Sequence, residues 1–99
     1  MTRKFLLLLL LAPTLAIAQI SDAICTTWES VMIGQTLNFR QMGIPIDTAK
    51  DTFNSEDSVG TRVFLKRVVQ GIYQDPVNGK KYLESGKFKA DCIKIHRGY

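Results

Sequence analysis

The sequence has few of the residues from which catalytic sites are usually built. Its 99 residues include a single histidine, His96, and only two cysteines. It contains no Cys-x-x-Cys, no glycine-rich phosphate loop and no Gly-x-Ser-x-Gly elbow, so redox, nucleotide and serine-hydrolase chemistry have no motif. One histidine and two cysteines also make no metal-ligand set of recognised spacing. We therefore predict no catalytic residue, no metal site and no cofactor, and we favour a protein that is not an enzyme.

The sequence also lacks a hydrophobic run long enough to cross a membrane. Its apolar stretch covers residues 5–18 and contains Pro13, whereas a spanning helix needs about 20 apolar residues. Arg3 and Lys4 precede this stretch, and Ala16-Ile17-Ala18 closes it with the small-x-small pattern of a cleavage site,. We predict a signal peptide over residues 1–18, a single helical domain over residues 19–99 with no membrane span, and a periplasmic or secreted location. A membrane anchor is the alternative.

The two cysteines, Cys25 and Cys92, would enter an oxidising compartment together,. Only one pairing exists within the chain. Chain entropy gives about 4 kcal/mol of stabilisation for a loop of that length, which is large beside the net stability of a small domain. We predict a Cys25–Cys92 disulfide, with free thiols or an intermolecular bridge as the alternative.

The net charge of +4 includes Arg3 and Lys4 of the predicted signal peptide. Without them 11 basic and 9 acidic residues leave +2, which is too small to indicate a nucleic-acid partner. The charge is unevenly distributed, because residues 19–60 include six acidic and two basic side chains, whereas residues 61–99 include nine basic and three acidic ones. The simplest interpretation is attraction between the two halves within one fold. The alternative is a basic surface for an anionic envelope partner, with four candidate binding cations: Arg40, Lys81, Lys89 and Arg97.

The clearest helix pattern covers residues 21–42. Four residues recur on one face at helical spacing: Cys25, Trp28, Met32 and Phe39,. Ser21 or Asp22 would cap the start of this helix, and Gly43 followed by Pro45 would end it. Arg40 lies in the last turn, where a cation meets the negative end of the helix dipole, and this is a structural account of that residue.

Three further helices are predicted. A short one begins at Asp47 as its cap and places Ala49 and Phe53 inward,. A longer one covers residues 59–73 and has Phe64, Val68 and Ile72 on its inner face, although its β-branched residues would also suit a strand,. Residues 75–79 are predicted to form a loop. A fourth helix follows from residue 80, interrupted or kinked near residues 85–86.

The last predicted helix has two rows of side chains. One row has charges of alternating sign: Lys80, Glu84, Lys87, Asp91 and Lys94,. The neighbouring row is apolar and contains Phe88, Cys92 and Ile95, with Tyr99 one turn further. This apolar row mirrors that of the first helix, and each includes one cysteine. The sequence therefore predicts an all-α fold, a small bundle of three to four helices clamped by one disulfide.

The order of landmarks along the chain resembles a known group of proteins. The landmarks are an early Cys25, the turn Arg40-Gln41-Met42-Gly43, the helix end Tyr73-Gln74-Asp75-Pro76 and a late Cys92. They resemble small, uncharacterised exported proteins of proteobacteria and their phages, which have two outer cysteines, an Arg-Gln-x-Gly turn and a Tyr-x-x-Pro helix end. The resemblance implies an all-helical envelope protein with a single disulfide, and it implies no activity. The chain departs from the group at Gly71 and at residues 85–86.

These observations predict a small exported helical protein that binds an envelope protein or an anionic envelope component and has no catalytic role. The first alternative is a periplasmic stress or chaperone-like protein, whose carboxylates and single histidine would drive a change on acidification. A hydrolase or a hydrolase inhibitor is the second alternative, and it would require a concave polar site.

Overall fold

The computed structural model describes residues 19–97, so the predicted signal peptide and Tyr99 lie outside the described range. Every regular element within residues 19–97 is helical, which confirms the all-α class. The elements are α1 (residues 19–31), a π-helical turn (Met32–Thr36), α2 (Leu37–Gln41), α3 (Ile46–Asp51) with a 3-10 turn (Thr52–Ser55), α4 (Val59–Gln74), α5 (Pro76–Glu84) and α6 (Lys87–His96).

The helix α1, the π turn and α2 follow one another without a break in helical backbone and end where the sequence predicts. Gly43 adopts φ +77°, the left-handed conformation that ends many helices. The N–H of Ile44 donates to the carbonyl of Phe39 at 2.9 Å, and the N–H of Gly43 donates to Arg40 at 3.3 Å, which is the Schellman pattern. The predicted start is wrong, because Ser21 and Asp22 lie inside α1 rather than at its cap.

The short helix α3 places Ala49 and Phe53 in the core, as predicted, with 1% and 0% of their surfaces exposed. Its predicted cap is wrong. Pro45 occupies the N-cap position with extended backbone, and Asp47 lies within the first turn. An acidic side chain in a first turn still interacts favourably with the positive end of the helix.

Within residues 19–97, the longest single α-helical segment is α4, which packs against α3, α5 and α6. It begins at a cap, because the Ser58 hydroxyl accepts from the N–H of Thr61 at 3.3 Å,. Its buried row is Thr61, Leu65, Val69 and Ile72. The predicted row included Phe64 and Val68, which are only partly buried against the core. Contacts with several helices widen the buried face of α4 beyond the single stripe that a one-sided amphipathic pattern predicts.

Residues 75–79, predicted as a loop, form the start of α5 instead. The Asp75 carboxylate accepts from the N–H of Asn78 at 3.1 Å, and Pro76 occupies the first helical position, where proline is well tolerated. Gly79 allows α5 to approach α4 closely. A Cβ at Gly79 would lie 2.8 Å from Cγ1 and 3.0 Å from Cα of Ile72.

The predicted last helix is divided into α5 and α6 at Ser85 and Gly86. Gly86 adopts φ +86°, which redirects the chain. The described residues therefore form five helices when α1, the π turn and α2 are counted as one, where three to four were predicted. The predicted single row of alternating charges is also wrong, because its members lie on two differently directed helices.

The disulfide between Cys25 and Cys92 is confirmed. It joins α1 to α6 across a Cα–Cα distance of 5.8 Å, and both cysteines are fully buried. Other core residues are Met32, Ala49, Phe53, Leu65, Val69, Ile72, Leu83 and Phe88. The Trp28 ring meets Phe53 edge-on at 5.1 Å between centroids. The predicted inward face of the first helix therefore packs into the core or against it, and so do Phe88 and Cys92 of the last helix, whereas Ile95 from the predicted row is not part of the core cluster.

Candidate functional site

An open groove lies between α2 and α5. Its volume is about 620 Å³. One wall comes from the π turn and α2, and the other from α5. We call it the α2–α5 groove, and its lining residues are Ile33, Leu37, Asn38, Arg40, Gln41, Pro76, Val77, Lys80 and Glu84. Two of its apolar side chains remain in contact with solvent, since Ile33 is 39% exposed and Val77 is 65% exposed.

The π turn lies at the start of the first wall. The N–H of Leu37 donates to the carbonyl of Met32, a bond from residue i+5 to residue i that accommodates one more residue than an α-helical turn. Met32 and Thr36 at the two ends of the turn are buried, whereas Ile33 and Gly34 between them are exposed. The wider turn therefore keeps two inner residues in the core and leaves Ile33 on the groove. π turns of this kind occur often at functional sites.

The second wall depends on the capped start of α5. Because Asp75 and Pro76 begin the helix early, Pro76, Lys80 and Glu84 follow at a spacing of four along one side of α5. Val77 lies beside them on the first turn. Had residues 75–79 formed a loop, this wall would have no regular spacing.

Arg40 connects the first wall to the end of α4. Its Nε–H donates to the carbonyl of Tyr73 at 3.2 Å, one of the carbonyls that a helix end leaves without an intrahelical partner. The Tyr73 hydroxyl in turn donates to the carbonyl of Ile44 at 2.7 Å. Burial raises the pKa of the Tyr73 phenol, and the positive charge of Arg40 opposes this shift. Arg40 is thus held at the groove by a backbone contact that uses only one of its donors.

The four predicted cations have different surroundings. Arg40 lines the α2–α5 groove, whereas Lys81 is exposed on α5 outside the lining. Lys89 on α6 pairs with Asp22 at 3.0 Å, and Arg97 is exposed just after α6. Sequence reasoning missed Ile33, Val77 and Lys80 as groove residues. The Asp75-Pro76 pair, a typical helix start, was the signal that would have placed Val77 and Lys80 on one helix.

A second depression, of about 460 Å³, lies between α4 and α5. Three of its four polar side chains, those of Asp75, Asn78 and Tyr82, already have hydrogen-bond partners, whereas Arg67 has none among residues 19–97. The Tyr82 hydroxyl donates to the Asp91 carboxylate at 2.6 Å, and Asp75 caps α5. Burial, the hydrogen bond to Asp91 and the charge of Asp91 raise the pKa of the Tyr82 phenol. This depression therefore offers a ligand fewer available polar groups than the α2–α5 groove.

Two polar pairs lie near the disulfide. Nδ1 of His96 lies 3.0 Å from the hydroxyl of Ser21, which resembles a nucleophile and its base. Ser21 has no exposed surface, so a substrate carbonyl has no access to its hydroxyl, and the pair connects α6 to α1. Glu56 is only 7% exposed and accepts from Nε1–H of Trp28 at 2.7 Å and from the N–H of Ser58 at 3.1 Å.

Within residues 19–97, no three histidine, cysteine, aspartate or glutamate side chains are grouped so that they would hold a metal ion. None of the helices in the same range is both long enough and apolar enough to cross a membrane. Comparison of the chain with models of known protein families, with curated proteins and with solved structures finds no match.

Proposed function

We propose that this chain is a small exported helical protein that binds a segment of another envelope protein through the α2–α5 groove and has no catalytic role. The observation on which the proposal depends is the open groove, in which Ile33 and Val77 are exposed beside polar side chains. An apolar strip with a polar rim is the usual composition of a protein interface.

Export is supported by two independent features. Residues 1–18 have the charged start, apolar run and small-x-small end of a signal peptide,. The disulfide between Cys25 and Cys92 is of a kind that persists in oxidising compartments and is rare in the cytosol. The resemblance to small exported proteins of proteobacteria and their phages is consistent with both features.

Export is tested by expressing the full chain in a proteobacterium and measuring the mass of the protein in each cell fraction. We expect a periplasmic or secreted species that begins at Gln19 and has the mass of the disulfide form. An uncleaved chain in the membrane fraction would support the anchor alternative and contradict the proposal.

Binding is tested by placing a photoreactive side chain at position 77 or, as a control, at position 63. Val63 is also exposed, at 46%, and it lies on α4 outside the α2–α5 groove. We expect a defined adduct from position 77 and none from position 63. The identified partner should then bind the purified chain in calorimetry, with weaker binding after Val77→Ser and unchanged binding after Val63→Ser. Equal behaviour of the two positions would exclude the groove as the binding surface.

A further inference from the structure

The α2–α5 groove is open along its length. Seven of its nine lining residues are exposed, and only Leu37 and Pro76 are partly covered. Sites for small molecules usually enclose most of the surface of the ligand, which this groove does not do. Its exposed Ile33 and Val77 would be covered by a ligand that brings its own surface, as a segment of a folded or disordered protein does.

Arg40 provides the strongest polar contact available in the groove. Its Nε–H is engaged by Tyr73, which fixes one edge of the guanidinium and leaves the terminal nitrogens for other acceptors. Among residues 19–97, no carboxylate lies within 4.0 Å of Arg40, since the ion pairs in this range are Lys80–Glu84 and Lys89–Asp22. A guanidinium held in this way matches a carboxylate better than other acceptors, because the two groups can form paired charge-assisted hydrogen bonds.

The other charges of the groove do not neutralise Arg40. Nζ of Lys80 lies 3.9 Å from Oε1 of Glu84, and the side chains are 60% and 55% exposed, respectively. A pair this exposed is weak, and the order of lysine before glutamate on a helix is the less favourable one. Arg40, Lys80 and Glu84 together leave one net positive charge on the groove, which favours an acidic partner over a basic one.

We propose that the α2–α5 groove binds a protein segment that presents an aspartate or glutamate side chain to Arg40 and apolar side chains to Ile33 and Val77. This inference rests on the proposed function and specifies the chemistry of the partner. The Arg40 contact selects the acidic residue, and the apolar strip selects its neighbours. The carboxylate and the apolar groups must therefore lie close together in the partner sequence or on one face of its helix.

The proposal is tested with a random 12-residue peptide library displayed on phage and selected on the processed, disulfide-bonded chain. Selected peptides are then synthesised and measured by calorimetry. We expect peptides with aspartate or glutamate beside large apolar residues. Arg40→Gln should weaken their binding by about tenfold or more, the range expected for a hydrogen bond to a charged group. Arg97→Gln removes the same charge outside the groove and should change binding by less than about twofold.

A double-substitution cycle identifies the contact itself. Changing the peptide carboxylate to its amide should weaken binding to the natural chain by about tenfold, and should have little further effect on binding to Arg40→Gln. Arg40→Lys keeps the positive charge but removes the planar guanidinium that can form two parallel hydrogen bonds, so the loss of affinity should be intermediate. If Arg40→Gln does not fold, as judged by circular dichroism, Arg40→Lys and the peptide amide still measure the contact.

Four outcomes would overturn the inference. Peptides that need Val77 and Ile33 but bind Arg40→Gln normally would exclude carboxylate recognition and leave the proposed function intact. Peptides that bind equally well after Val77→Ser and Ile33→Ser would contradict both this inference and the proposed function. Arg40-dependent binding to phosphatidylglycerol vesicles, without peptide binding, would indicate a membrane surface. Self-association in the ultracentrifuge that Val77→Ser abolishes would indicate a second copy of the chain.

Discussion

The surroundings of the disulfide and the α2–α5 groove differ in how completely their apolar side chains are buried and their polar side chains are hydrogen-bonded. Around the disulfide, Cys25 and Cys92 have no exposed surface, and the polar side chains of Ser21 and Glu56 are hydrogen-bonded to His96 and Trp28. In the groove, apolar side chains face solvent and Arg40 has unused donors. The groove that we propose for binding is therefore separate from the region around the disulfide, and substitutions in one region should leave the property of the other unchanged.

The largest expected effect is loss of the disulfide. The double substitution Cys25→Ala with Cys92→Ala should lower the free energy of unfolding by about 4 kcal/mol, because the unfolded chain regains the freedom that the bridge removes. Urea denaturation followed by circular dichroism measures the change. A loss below about 1 kcal/mol would mean that packing of α1 on α6 is sufficient without the bridge.

The next effect is expected at Glu56. Both carboxylate oxygens of Glu56 accept hydrogen bonds, one from Nε1–H of Trp28 and one from the N–H of Ser58. Glu56→Gln replaces one of these oxygens with an NH2 group, which would face one of the two donors. The free energy of unfolding should therefore fall by about 2 kcal/mol. Asp57→Asn is the matched control, because Asp57 is the neighbouring carboxylate and is exposed. It should change stability by less than about 0.5 kcal/mol. Equal effects of the two substitutions would contradict a role of the Trp28–Glu56 bond in stability.

A smaller effect is expected where α5 meets α4. Gly79→Ala should destabilise the protein by about 1–2 kcal/mol, because the new methyl group would collide with Ile72 and overpacking costs more than the helix propensity returns. Gly71→Ala is the control. Open space surrounds that position, so alanine should stabilise the helix by about 0.5–1 kcal/mol. Thermal unfolding of both variants shows whether each substitution raises or lowers stability. A stabilising Gly79→Ala would contradict the close approach of α5 to α4 at this position.

Alkaline pH should weaken the packing of α5 on α6. The pKa of Tyr82 is raised in the folded protein by burial and by Asp91, so the stabilisation from the neutral phenol is present below its unfolded pKa of about 10 and is lost as the pH rises above that value. The free energy of unfolding should therefore fall above pH about 10, and it should fall less in Tyr82→Phe. Identical pH profiles for the two proteins would count against this account.

The smallest effect on stability is expected in the groove itself. Val77→Ser removes an exposed side chain and should change the free energy of unfolding by less than about 0.5 kcal/mol, although it should weaken partner binding. Urea denaturation and calorimetry on the same preparation measure both. A variant that loses binding only because it unfolds would remove the contrast between the two regions.

Much of the fold was predictable because local signals agree with the packing. Gly43 and Pro45 mark a helix end that the structure contains, and the two cysteines had one possible partner each. The start of α5 was missed because residues 75–79 consist largely of residue types that are common in turns, while the contact that requires a small residue at Gly79 comes from Ile72 on another helix. That contact has no signature in the sequence of α5.

The candidate site was predictable only at Arg40. The walls of the α2–α5 groove come from segments far apart in the chain, and hydrophobic periodicity reports which side chains are buried, not which exposed ones become neighbours. The π turn was also missed. The predicted apolar row of Cys25, Trp28, Met32 and Phe39 is compatible with an ordinary α-helix, and the added residue is visible only in the bond from Leu37 to Met32.

The position of the disulfide has a consequence for resistance to proteolysis. The bridge joins residues that are 67 apart in sequence, and both walls of the groove lie between them. A single cut by a protease in any exposed connection inside that span, such as the one around Gly86, leaves two peptides that are still covalently attached. After a cut around Gly86, both walls of the groove stay on one of these peptides, and the bridge holds the other peptide to it until a reductant separates them.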